Sequence, residues 1–105
     1  MLECPINGID ITVSPSPGSL LSALHGGADS VIERTTCNYG LEPSLRETVT
    51  GNGMDVGGID ELGEVRAVER SDHRFFVATL YQPQLASTTE QPHPIFVGLI
   101  NAAST

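Results

Sequence analysis

The sequence predicts an α/β domain, a mixed sheet with flanking helices, on three observations. Phe75 to Gln84 (Phe-Phe-Val-Ala-Thr-Leu-Tyr-Gln-Pro-Gln) carries no charge and is rich in aromatic and branched side chains, the signature of a strand covered on both faces. Glu64 to Arg70 alternates apolar and charged residues, as a half-buried strand does. Ile95, Phe96, Leu99 and Ile100 recur at helical spacing, so a helix from Pro94 or Ile95 to Ala103 can dock on the sheet. Pro83 turns the chain at the end of the organising strand. Gln82 and Gln84 then stand where the strand emerges, the edge at which open α/β sheets present their chemistry.

The 105 residues suit one domain with a modest core, and the sequence shows no internal repeat, long linker or domain boundary. Thirteen acidic against five basic side chains give a net charge of −8. That surface repels nucleic acid and anionic membranes, and neither is expected as a partner. No apolar run reaches membrane-spanning length and the start has no signal-peptide pattern, so the expected location is cytoplasmic. Cys4 and Cys37 are too few for a disulfide framework and lack metal-motif spacing, so both are read as reduced thiols.

In chain order, Asn7-Gly8 signals a turn and the alternation of Ile9, Ile11 and Val13 a strand. Ser14-Pro-Ser-Pro-Gly18 is read as a loop, because prolines remove ladder donors. Ser19 caps a short helix to about Leu24, ended by Gly26-Gly27. Ser30 to Thr36 is extended. Pro43 opens a helix closed by Gly51. Met54 to Ile59 is a strand weakened by Gly57-Gly58, and Asp60-Glu-Leu-Gly63 is a hairpin loop with glycine at a positive-φ position. Ser71 to Arg74 is a turn, and Leu85 to Pro94 a polar loop.

Several motifs carry a resemblance. Gly-Glu-Val-Arg-Ala-Val-Glu at 63–69, Asp-His-Arg-Phe-Phe at 72–76, Tyr-Gln-Pro-Gln at 81–84 and Pro-His-Pro-Ile-Phe at 92–96 resemble the C-terminal half of a class I glutamine amidotransferase domain, flavodoxin-like in fold. Within that superfamily the match is to the CTP synthase region and related proteins, which implies a single partial domain over 1–105 and a setting in pyrimidine nucleotide metabolism. The family's strand ends in Phe-His-Pro-Glu; this one ends in Tyr81-Gln82-Pro83-Gln84. The resemblance assigns the histidine as general base for a cysteine nucleophile and the glutamate as its orienting group. Both positions hold amides here. Near the family's bound glutamine, an Arg-His-Arg-Tyr-type stretch corresponds to the region where only Arg34 and Tyr39 remain.

Imidazole takes a proton near neutral pH; a carboxamide has no basic form there. Gln82 can hydrogen-bond a ligand but cannot activate a thiol as histidine does. Neither cysteine has the Gly-x-Cys-x-Gly flanks of the family's nucleophile. The sequence therefore reads as an amidotransferase-like module without catalytic relay, non-hydrolytic by itself, binding a small amide or amino acid near Gln82, Tyr39 and Arg34, or a partner. The alternative is an enzyme of altered chemistry using Cys37 with His25, His73 or His93. No cofactor and no metal site is expected, since no histidine has another histidine or a cysteine at i+2 to i+4, and His73 and His93 read as surface turns. Asp60, Glu61 and Glu64 read as a solvated hairpin. A half-domain leaves sheet edge and face open, so a homo-oligomer or a complementary amidotransferase half-domain is the expected partner.

Overall fold

The computed structural model describes residues 8–36, 40–73 and 75–104. Their strands are β1 (Ile9–Pro15), β2 (Val31–Thr35), β3 (Asp55–Asp60), β4 (Val65–Glu69) and β5 (Val77–Thr79). They form one sheet in the order β2-β1-β3-β4-β5. The helices are α1 (Leu20–Leu24), α2 (Arg46–Gly51) and α3 (Pro94–Ala103), with 3-10 turns at Pro43–Leu45 and Pro83–Ala86. The α/β class stands, with all four described pairings antiparallel rather than mixed.

The alternation of β1 has the expected consequence. Ile11 and Val13 point into the core with Leu21, Ala67, Tyr81 and Ile95. In β2, residues 31, 33 and 35 share that inward face, and Ile11 lies opposite Glu33 in the register. A glutamate therefore stands on the core side of the sheet.

Helix α1 is tied to the sheet by polar contacts. Ser19 caps it by accepting from the Ser22 N–H at 3.0 Å, as its sequence suggests. The buried Glu69 carboxylate reaches across from β4 and accepts from the N–H groups of Leu20 and Leu21 at 2.7 and 3.2 Å. Those amides would otherwise lack intrahelical partners. At Gly58 a Cβ would meet Val13 and Leu21 side chains at 3.0 and 3.1 Å, so the glycine lets the helix sit close. The ladder between β3 and β4 is irregular there, with register shifts around Gly58.

Several expectations are corrected. The organising apolar run contributes only the three residues of β5, pairing β4 on one side, with Ala78 exposed. Among the described strands it is an edge, and it is short because the chain passes into the 3-10 turn at Pro83 soon after it. Strand β1 continues through Pro15, which lies past the last β2 pairing at Val13 and so has only β3 alongside, an edge-like position that tolerates proline, and Ser16 still donates to the Gly57 carbonyl at 2.8 Å. The hairpin carboxylate Asp60 is buried rather than solvated. Its Oδ1 accepts from Leu62 and Glu64 N–H groups at 2.9 and 3.0 Å, and its Oδ2 from Arg66 Nε at 2.8 Å. Burial alone would raise the Asp60 carboxyl; the bonds from Arg66 and the two amides outweigh it and hold it below the usual range.

Candidate functional site

Gln82 ends the chain's last strand region beside the end of β2. Its backbone N–H donates to the Arg34 carbonyl at 2.9 Å. Its side-chain oxygen accepts from the Thr36 N–H at 2.7 Å, with the Thr36 hydroxyl at 3.4 Å. The amide thus joins two backbone segments as a strut. Pro83 is buried and opens a 3-10 turn, which leaves Gln84 exposed two residues from the strut. Among the described residues no side-chain hydrogen bond joins the two relay positions. Arg34 faces away from the core and pairs with Asp10 at 3.4 Å, both side chains substantially exposed. Cys4, Cys37 and Tyr39, and with them the thiol alternative and part of the suggested ligand site, lie outside the described residues.

Tyr81 precedes the strut and points the opposite way, into the core. There the structure assembles a polar cluster that sequence reasoning missed. His25 follows α1, Glu33 sits mid-β2, and His93 caps α3. The surface-turn reading of His93 is corrected, because its side chain is 4% exposed. Its Nδ1 accepts from the Ile95 N–H at 3.1 Å, which places the ring proton on Nε2, donating to Glu33 Oε2 at 2.6 Å. His25 Nε2 lies 3.8 Å from the same oxygen, and the two imidazoles meet edge to face with centroids 5.5 Å apart. Burial pushes His25 below its ordinary pKa, partly offset by Glu33 and reinforced by His93. Burial and the Glu33 charge both push the Tyr81 phenol up. His73 matches expectation, half exposed at its turn and stacked on Phe76.

One signal for the cluster was present in the sequence. Val31, Glu33 and Thr35 alternate on one face, so a Val31 that packs against the core carries Glu33 inward with it. The convergence of His25 and His93 on it had no such signal, because they come from a helix end and a loop at separations set only by packing.

No family model matches the chain. The glutaminase domain of Trypanosoma brucei CTPS with bound acivicin superposes with a TM-score of 0.83, over 92% of this chain and 39% of that one, at 22% identity. The fold is therefore that of part of a glutaminase domain. The sequence relatives narrow the class. CTP synthase of Methanopyrus kandleri is 37% identical over 87 residues, CTP synthase of Chlamydia trachomatis 36% over 89, and CTP synthase 1-B of Xenopus laevis 34% over 93. These alignments cover 83%, 84% and 88% of this chain and 16% of each relative. The chain is a CTP synthase-related glutamine amidotransferase domain segment, spanning a small part of the length of the relatives it matches.

Proposed function

We propose that this chain is an amidotransferase-type module that does not hydrolyse glutamine by itself and acts by binding. The observation carrying this reading is Gln82. It stands where the resemblance implies a general base, it has no basic form near neutral pH, and its oxygen is occupied by the Thr36 amide at 2.7 Å. Gln84 is exposed and cannot orient a base through that strut. Two of the three imidazoles, His25 and His93, are directed at the Glu33 carboxylate. Small amides or amino acids, or a partner bearing the rest of an amidotransferase domain, are the ligands this reading implies.

Glutaminase assays test it. Wild type, Cys37→Ser and the double variant Gln82→His/Gln84→Glu are each expected to release no ammonia above background. Cysteine-dependent release by wild type would overturn the reading and favour the altered-chemistry alternative.

A further inference from the structure

We propose that His25, Glu33 and His93 form a site for a divalent transition metal, zinc by their chemistry. The three side chains each offer one ligand atom, and those atoms lie within 4.8 Å of one another. Two imidazoles and one carboxylate are a recognised zinc donor set with a fourth position left open. The donors come from three separate parts of the chain, held by α1, β2 and the first turn of α3, so their meeting is a property of the tertiary fold.

A second observation also favours a cation at this point. Glu33 is 1% exposed, yet among the described residues its Oε1 has no hydrogen-bond partner, and neither has His25 Nε2 or the Tyr81 hydroxyl. Buried polar atoms are nearly always satisfied, and a buried carboxylate needs compensating charge. Among the described residues the ion-pair partners of Glu33 are the two imidazoles alone. A dication bound at this point supplies the charge. It also gives the His25 Nε2 atom a partner.

The required rearrangement is small and specific. Metal–ligand bonds of about 2.0–2.1 Å put neighbouring tetrahedral ligands roughly 3.4 Å apart. The His25–Glu33 separation of 3.8 Å closes slightly, and the His93–Glu33 separation of 2.6 Å opens. When His93 binds through Nε2, the proton on that atom moves to Nδ1. Nδ1 then no longer accepts from the Ile95 amide, so metal loading is coupled to the first turn of α3.

The experiment uses the untagged chain, stripped with a chelator and titrated with Co²⁺ alone. A saturable visible band of a four- or five-coordinate centre at one equivalent is expected, bleached by Zn²⁺. The Ile95 amide resonance should shift in the same titration with Zn²⁺. His25→Ala, whose folding is checked by circular dichroism, should weaken Co²⁺ binding at least tenfold, while His73→Ala should leave it unchanged. Absence of a saturable band in wild type overturns the proposal without reference to any variant. So does a band that His25→Ala leaves intact, or one that His73→Ala removes.

Discussion

Glu33 shows how one residue can be polar by type and core by position. Strand alternation turns it inward opposite Ile11, and two histidines, rather than an arginine or lysine, meet it there. Removing a buried acceptor strands its donor and costs about 1–3 kcal/mol. Glu33→Ala should therefore lower the urea-unfolding free energy of the metal-free protein by about that amount. Asp10→Ala breaks a pair whose side chains are 41% and 59% exposed and should cost under about 1 kcal/mol. Equal losses in the two variants would place Glu33 outside the core. Gln82 is the opposite case, an amide with the reach to bridge backbone segments and without the proton chemistry of the imidazole the family resemblance implies there.

Among elements, the hairpin between β3 and β4 has the most explicit internal wiring. Asp60 closes the turn through two amides and neutralises Arg66, which in turn donates to the Leu80 carbonyl at the end of β5. One carboxylate thus links three strands. Its pKa is lowered in the folded state relative to about 3.9 for a free aspartate. The unfolded chain accordingly binds the proton first as the solution is acidified. The contribution of Asp60 is fully present above that value and is lost as pH falls from about 4 through the depressed folded pKa. Urea midpoints measured from pH 6 downward should drop across this window. Asp60→Asn should be less stable at neutral pH by about 3–5 kcal/mol, because it takes away the carboxylate paired with the buried Arg66 guanidinium, and should lose this part of the acid slope.

Over the whole molecule, apolar surface remains uncovered. Ile32 on β2 is 62% exposed, and Leu99 and Ile100 on α3 are 50% and 65% exposed. Among the described residues, strand β5 has one pairing neighbour. Open strand edges and apolar patches favour association. Sedimentation at micromolar concentration is expected to show a dimer or larger species, and a stable, well-folded monomer would contradict that expectation. Among the described residues no helix is long and apolar enough to cross a membrane.

What the sequence by itself determined is everything governed by neighbours along the chain. The alternation of β1, the Ser19 cap, the positive-φ Gly63 in its hairpin and the span of α3 are local and appear where the residues place them; the alternation of β4 does not carry over, because Arg66 and Glu69 are buried along with Val65 and Ala67, and of the α3 stripe Leu99 and Ile100 stay exposed. Only the tertiary structure decided which strand would be an edge, that Asp60 would be buried with Arg66, and that His25 and His93 would close on Glu33. Those outcomes depend on contacts between residues as many as 68 positions apart in the chain, His25 to His93, whose meeting is settled by sheet order and helix docking rather than by any periodicity within a segment.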